Sequence, residues 1–204
     1  MPGTGKVRMK IRHLGTIALA TFCLALTTAM AASLIGCGDS SSTNAGTSSD
    51  GLLPRNYVVL LNLVNQYFDT ITQQDSTGKD STAQGDPDAT RAVFFINGDG
   101  SRKITITIDR YRNSSDATSA YQTALQKSEE VPGFQPITIP SVGQQSFAGS
   151  ATQGGETHVG LGALDGNFVF GATLAGFDVT PDNVANLVGL ARAQKAAVDA
   201  AAGQ

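Results

Sequence analysis

Apolar residues recur along this chain at two spacings, one typical of helices and one of strands. After Pro54, the stretch "RNYVVLLNLVNQYFDTI" has apolar residues three or four positions apart, with asparagine and glutamine on the opposite side. The same spacing follows the capping serines Ser114 and Ser115, and again the capping pair Thr180-Pro181. The apolar positions of these three predicted helices are Tyr57, Leu60, Leu61, Val64, Phe68 and Ile71; Ala117, Ala120, Tyr121, Ala124 and Leu125; and Val184, Leu187, Val188, Ala191 and Val198.

Alternation of apolar and polar residues predicts the strands. In residues 91–112 three isoleucines alternate with Thr105, Thr107 and Asp109, and the turn sequence "NGDG" before them predicts a hairpin. A second hairpin is predicted in residues 156–176. With Asp165-Gly166 as its two-residue turn, Leu161 faces Phe170 and Gly160 faces Gly171.

These elements predict an α+β domain over residues 52–204, with one twisted, mostly antiparallel sheet, flanking helices and the order α-β-β-α-β-β-β-α. The polar stretch of residues 72–91 is predicted to be a long loop. The layout is similar to that of PsbP-like domains. The succession of "RYRNSSDATSAY" and "VGQQSF" resembles small lipoprotein domains of unassigned role. Neither resemblance implies particular site residues.

The N-terminal region has the layout of a secretory signal. A basic start, which begins at Met1 or at Met9, precedes an apolar run from Ile17 to Ile35 and then small residues. A permanent membrane helix is an alternative interpretation, because about 19 apolar residues just span a bilayer.

Two cleavage sites compete within this signal. Ala29-Met30-Ala31 fits ordinary signal peptidase, which would release a soluble protein. Leu34-Ile35-Gly36-Cys37 resembles the lipobox of bacterial lipoproteins. That resemblance implies removal of residues 1–36 and a diacylglycerol on Cys37. It also implies anchorage to the extracytoplasmic face of an inner or outer membrane. Residues 37–51, rich in Ser, Gly and Thr, then form a flexible tether.

Charge and cysteine content narrow the functional classes. Ten of the fourteen basic residues and all seventeen acidic residues follow Cys37, so the part after it carries a net charge of −7. This balance disfavours nucleic acid and anionic lipid surfaces as main partners. No cysteine follows Cys37 and His158 is the one histidine there, which disfavours thiolate metal sites and cysteine nucleophiles. Nucleophile-elbow and phosphate-loop motifs are absent from the sequence.

The candidate binding surface centres on His158. Strand alternation places it on the same face as Thr173 and several glycines, with Glu156 nearby, while the other face carries the apolar residues. Such a glycine-rich face either admits a ligand or partner, or packs against the alanines of the last helix, Ala191, Ala193, Ala196 and Ala197.

Arg110 and Arg112 continue the stripe of isoleucines with two cations. They either turn to water at the strand end or bind an anionic ligand at a pocket mouth. Asn97, Asp99 and Ser101 begin like a calcium loop, but Ile108 stands where a glutamate is needed, so a plain turn is favoured. Asp80, Asp86 and Asp88 are predicted to lie in a solvated loop. We expect neither a metal nor a cofactor.

The sequence therefore predicts a membrane-anchored extracytoplasmic lipoprotein with a non-catalytic domain that meets a protein or a cell-envelope component. The alternative is a carrier of small molecules or lipids, with a cavity between the sheet and the first helix and with Arg110 or His158 at its end. An enzyme of unknown type is the third possibility. A filled interface between sheet and first helix favours the first hypothesis over the second.

Overall fold

Residues 51–74 and 87–203 are described by a computed structural model. The strands are β1 (Gln73–Gln74), β2 (Ala89–Ile96), β3 (Lys103–Arg110), β4 (Gln135–Ile137), β5 (Gln145–Gln153), β6 (Glu156–Asp165) and β7 (Phe168–Ala175). The helices are α1 (Leu61–Val64), α2 (Ser114–Glu129) and α3 (Pro181–Ala202), with a 3₁₀ turn at Arg55–Tyr57. All neighbouring strands pair antiparallel, in the order β1-β2-β3-β7-β6-β5-β4.

The predicted α+β class is confirmed, and the element order agrees apart from two short strands that the pattern did not predict. Those strands, β1 and β4, lie at the two edges of the sheet. Helix α2 follows β3 in the sheet interior and precedes β4 at the far edge, so the chain crosses the sheet at this point. The candidate groove described below lies beside β4.

The sheet separates two layers of helix. The face that carries Ile104, Ile106 and Ile108, here called the α3 face, packs against α3 and the segment before β1. The opposite face, here called the α2 face, packs against α2, where Tyr121 contacts the cluster that contains Leu164 and Val169. Both faces of the sheet are therefore buried against helix.

The first helix is much shorter than predicted. Only a 3₁₀ turn and the four residues of α1 are helical in residues 55–64, and Leu60, predicted on the apolar side, is 67% exposed. The backbone is extended at Val58. Gln194 of α3 explains this conformation, because its buried side-chain amide donates to Tyr57 O at 2.6 Å and accepts from Val59 N at 3.2 Å. A tertiary hydrogen-bond pair thus replaces helical bonds here.

The second hairpin is confirmed, but its register differs by two residues from the predicted one. Asp165 pairs with Phe168, so Gly166 and Asn167 form the turn, and Leu161 lies opposite Ala172. A shift of two keeps every side chain on its predicted face, because strand side chains alternate with a period of two. The assignment of Val159, Leu161, Phe168, Phe170 and Leu174 to the core is therefore confirmed.

Aromatic rings pack on two glycines of the α2 face, one in β6 of this hairpin and one in the neighbouring β5. The Phe147 ring lies over Gly162 and the Phe134 ring over Gly149, each so close that an added Cβ would approach a ring carbon within 3 Å. The last helix was expected to pack on this face through Ala191, Ala193, Ala196 and Ala197. This expectation is wrong, because α3 lies on the opposite face of the sheet.

Candidate functional site

Helix α3 forms the first wall of an apolar groove. The Thr180 side chain caps the helix by accepting from Asn183 N at 3.1 Å, and Pro181 occupies the first turn, where a missing N–H costs nothing. Asn183 Nδ2 also donates to Asp178 O at 2.9 Å, which fixes the loop that carries Val179. The helix buries one stripe on the sheet and leaves a neighbouring stripe, Val184, Ala185, Val188, Gly189 and Arg192, along the groove.

The second wall is the chain that leaves the sheet after β4. Pairing with β5 ends at Ile137, opposite Ala148, and residues 138–140 continue without a strand partner. Val142 N then donates to the Ser146 hydroxyl at 3.0 Å, which turns the chain back towards β5. Ile137, Thr138 and Pro140 face α3 across the gap.

The groove between these walls has a volume of about 590 Å³ and opens to solvent. This volume lies within the range of about 300 to 1,000 Å³ that small-molecule sites have. Val179, which is 48% exposed, lines the groove, and Arg192 is the one charged residue among those that line it. The arrangement suits an apolar ligand or side chains with one anionic group.

A smaller hollow of about 300 Å³ lies beside the same wall. Ile137 and Thr138 line both spaces, and Leu125 of α2 lines the smaller one together with Phe134 and Phe147. The chain around Ile137 is therefore a thin partition with space on each side. Both spaces lie at the β4 edge of the sheet.

Sequence reasoning missed this groove, although each wall left a signal. The apolar side of the last predicted helix extends beyond what one sheet contact needs, and "FQPITIP" places apolar residues between two prolines. The two stretches are about forty residues apart, and only the pairing of β4 at the far edge brings them together.

The residues predicted around His158 lie together on the α2 face, where His158 and Thr173 are buried and Glu156 is exposed. His158 is 5% exposed, its Nε2 lies 3.5 Å from Glu156 Oε2, and Thr173 is also buried. Thr173 lies opposite Gly160, while His158 lies opposite Ala175, two residues away from the predicted pairing. Burial lowers the pKa of His158, and the Glu156 charge opposes that effect. The arrangement favours a neutral imidazole.

The predicted arginines lie elsewhere. Arg110 is the half-buried last residue of β3, and Arg112 follows the strand with its side chain 82% exposed, 3.8 Å from Asp88. Lys103 pairs with Ala175 and Ala175 with His158, so Arg110 is separated from His158 by seven residues of β3, about 23 Å. The structure thus places the arginines and His158 at opposite ends of the sheet.

One buried carboxyl lies on the α2 face. Asp109 accepts a hydrogen bond from the Thr90 hydroxyl on the neighbouring strand. Burial raises the pKa of Asp109 to about 6, and the Thr90 bond offsets part of that rise. Asp109 is 4% exposed, and it does not line the groove beside α3.

The calcium-like sequence forms the turn of the β2–β3 hairpin. Asp99 Oδ1 accepts from Ser101 N at 2.9 Å and from Ser101 Oγ at 2.7 Å, and Asn97 Oδ1 accepts from Arg102 N. These bonds tie the Asn97 and Asp99 side chains to the backbone of the turn, as the turn interpretation predicts. Asp80 and Asp86 lie outside the described residues.

Within residues 51–74 and 87–203, no group of three or more His, Cys, Asp or Glu side chains converges on a possible metal site. In the same two ranges, no helix is both long and apolar enough to cross a bilayer. The predicted signal peptide, Cys37 and the tether to residue 50 lie outside the described part of the chain.

No family model and no curated protein matches this chain. Two solved structures from Mycobacterium tuberculosis are similar to it. One is the extracellular domain of PknH, at 11% identity and a TM-score of 0.49, with 72% of this chain and 94% of that chain covered. The other is LpqN, described as involved in cell envelope biogenesis, at 15% identity and a TM-score of 0.36, with 69% and 96% covered. Identities this low transfer no residue roles.

Proposed function

We propose that this chain is a lipid-anchored extracytoplasmic protein whose domain binds a cell-envelope component through the groove beside α3, without catalysis. The observation that carries the proposal is the groove itself. It is mainly apolar, opens to solvent, has a volume of about 590 Å³ and is lined by one charged residue, Arg192. Anchorage rests on the lipobox-like residues 34–37 and the polar tether behind them.

The position of the groove fits a tethered binding domain. The chain enters the domain beside β2, where Leu53 N donates to Thr90 O, whereas the groove lies beside β4. Five strand spacings separate β2 from β4, about 24 Å. Because the fifteen residues from Cys37 to Gly51 span at most about 50 Å, a lipid on Cys37 keeps the domain close to the membrane.

The described residues do not support the cavity on which the carrier alternative depended. Val59, Val64, Phe68 and Ile71, which lie between the sheet and the N-terminal segment, are all buried in the core. The hollow beside Val59 and Arg91 has a volume of only about 30 Å³, close to that of one water molecule. Among the spaces lined by described residues, the open groove has the larger volume for a carried ligand. Native and denatured masses of the purified full chain test this point, because a carried ligand adds mass that disappears on denaturation.

Site-specific photo-crosslinking in cells tests the binding surface. A photoreactive phenylalanine analogue replaces Thr138, an exposed residue that lines the groove, in the full chain. The matched control replaces Thr123, an exposed threonine on α2. We expect a crosslinked product from position 138 and none from position 123.

A blocking variant makes this experiment specific to the groove. Ala185→Trp places a bulky ring in the groove from an exposed helix position, and Ala200→Trp places the same ring on an exposed position about four turns along α3. The crosslink from position 138 should disappear with Ala185→Trp and persist with Ala200→Trp. Equal crosslinking from positions 138 and 123, or no effect of Ala185→Trp, contradicts the proposal.

The anchor has its own test. If Cys37 carries the lipid, Cys37→Ala should release the protein from the membrane fraction or leave the leader uncleaved, which raises its mass. A Cys37→Ala protein with unchanged mature mass in the membrane fraction would contradict the lipid anchor.

A further inference from the structure

The groove beside α3 has a specific chemical character that narrows its ligand. Its walls are mainly apolar, with Ile137 and Pro140 on one side and Val179 and Val184 on the other. The stripe of α3 that lines it runs from Pro181 to Arg192, a length of about 16 Å along the helix axis. An elongated apolar slot of this kind suits a single chain better than a bulky ring system.

Arg192 gives one end of this slot an available positive charge. The residue is exposed, and its guanidinium makes no hydrogen bond or ion pair with any other described residue. A guanidinium binds a carboxylate through two parallel hydrogen bonds. Because the part of the chain after Cys37 carries a net charge of −7, a monoanion meets less repulsion here than a phosphate dianion.

The edge strand beside the groove is poorly suited to bind an extended peptide by strand addition. β4 has three residues, Pro136 is the middle one, and Pro140 follows shortly after. A proline has no N–H to donate to an added strand, and prolines on an edge oppose such pairing. The polar recognition of this groove therefore depends on side chains, chiefly Arg192, rather than on backbone pairing.

We infer that the groove binds a single-chain fatty acid, with the acyl chain along α3 against Ile137 and Val184 and the carboxylate at Arg192. This inference rests on the proposed function, since it specifies the ligand class of the same site. Because each methylene buried from water adds to the affinity, the acyl chain supplies most of it. The carboxylate supplies orientation and selects acids over alcohols.

Native mass spectrometry of the full chain, released from neutral detergent micelles, tests the inference with a matched pair of ligands. Palmitate and hexadecanol have the same chain length and differ in the charge of the head group. We expect the wild type to retain palmitate about ten times more strongly than hexadecanol, the effect of a charge-assisted hydrogen-bond pair at a partly exposed site.

Variants of Arg192 separate the charge from the groove. Arg192→Gln should reduce the ratio of palmitate to hexadecanol retention to about one. Arg192→Lys should restore only part of this ratio, because an ammonium group lacks the planar fork of the guanidinium. Arg112→Gln, which removes an exposed arginine outside the groove, is the control and should change nothing. Equal retention of the two ligands by the wild type, or equal loss in Arg192→Gln and Arg112→Gln, overturns the inference.

The tryptophan variants connect this test to the proposed function. Ala185→Trp should abolish retention of both ligands, and Ala200→Trp should retain both, with thermal unfolding showing that each protein is folded. If palmitate is not retained while Ala185→Trp still removes the cellular crosslink, the fatty-acid inference is wrong and the proposed function stands. If palmitate binding depends on Arg192 but the cellular crosslink ignores Ala185→Trp, the inference stands and the proposed function is wrong.

Discussion

The two faces of the sheet come from the same strands but are buried by different chemistry. On β3, Ile104, Ile106 and Ile108 face α3 and the N-terminal segment, and all three are fully buried. The alternate residues Thr105, Thr107 and Asp109 point to the α2 face and are less than a tenth exposed as well. Alternation thus identifies the apolar face, but it does not show that the polar face is exposed to water.

The difference between the faces lies in how burial is achieved. The α3 face removes large aliphatic side chains from water, at about 1.5 to 3 kcal/mol for each one. The α2 face combines glycines that admit the Phe134 and Phe147 rings with polar side chains, and Asp109 is partnered by the Thr90 hydroxyl. Stability should therefore depend on methylene groups on one face, and on close fit and protonation on the other.

The largest effect should come from neighbouring truncations on the two faces. Ile106→Ala leaves a cavity in the fully buried core and should reduce the free energy of unfolding by about 3 kcal/mol. Thr107→Ala, one residue along the same strand, removes less apolar surface and should cost about 1 kcal/mol or less. Urea unfolding followed by circular dichroism measures both. Equal losses would contradict the distinction between the faces.

Protonation of Asp109 should have the next largest effect. Its folded pKa, about 6, lies above the value of about 3.9 for an unfolded aspartate, so the folded state holds the proton more tightly. Stability should fall as the pH rises from about 4 to about 6, by a total of about 2 kcal/mol, and then stay level.

Asp109→Asn should remove this dependence. At pH 7 the variant should be more stable than the wild type, and near pH 4 the two should be similar, because the amide cannot ionise. Asp178→Asn, a change of an exposed aspartate in the loop before α3, is the matched control. A difference between wild type and Asp109→Asn that is constant from pH 4 to pH 7 would show that ionisation is not the cause.

The fit of an aromatic ring on glycine should have a smaller effect. A Cβ at position 162 would lie 2.6 Å from Phe147 Cε1, so Gly162→Ala forces the half-buried ring to move. We expect a loss of about 1 to 2 kcal/mol. In a Phe147→Ala background the same glycine change should cost less than about 0.5 kcal/mol, because no ring opposes it. Additive losses in the double variant would exclude the ring contact as the cause.

The sequence predicted those features that depend on local alternation. The faces of β3, β6 and β7 followed from period two, and they survived a register error of two residues because such a shift conserves the face. The first helix was predicted too long, since Gln194, 135 residues after Val59, supplies the hydrogen bonds that hold this segment extended. A contact between residues this far apart in sequence leaves no signal in the local pattern of apolar and polar residues.

The candidate site depended even more on distant contacts. His158, Thr173 and Glu156 were placed together because one hairpin holds them, but the burial of His158 and Thr173 results from packing across the sheet, and Glu156 stays exposed. The groove combines Val184 and Arg192 with Ile137, and their proximity depends on which edge β4 occupies. Hydrophobic periodicity describes each wall alone and not the distance between the walls.

The smallest effects should come from the helix caps, and they separate stability from binding. Asn113 Oδ1 accepts from Asp116 N at the start of α2, and Thr180 Oγ1 accepts from Asn183 N at the start of α3. Asn113→Ala and Thr180→Ala should each cost about 1 kcal/mol, because each leaves one N–H unpaired at a helix terminus.

The two cap losses should differ in their effect on the groove. The α3 cap fixes the turn that carries Val179, so Thr180→Ala should weaken the crosslink from position 138, whereas Asn113→Ala should leave it unchanged at equal stability. Thr180→Ser, which keeps the hydroxyl, should restore both the stability and the crosslink. Equal crosslinking in the two alanine variants would mean that the groove does not depend on the start of α3, and the binding surface would then have to be sought on the β4 wall alone.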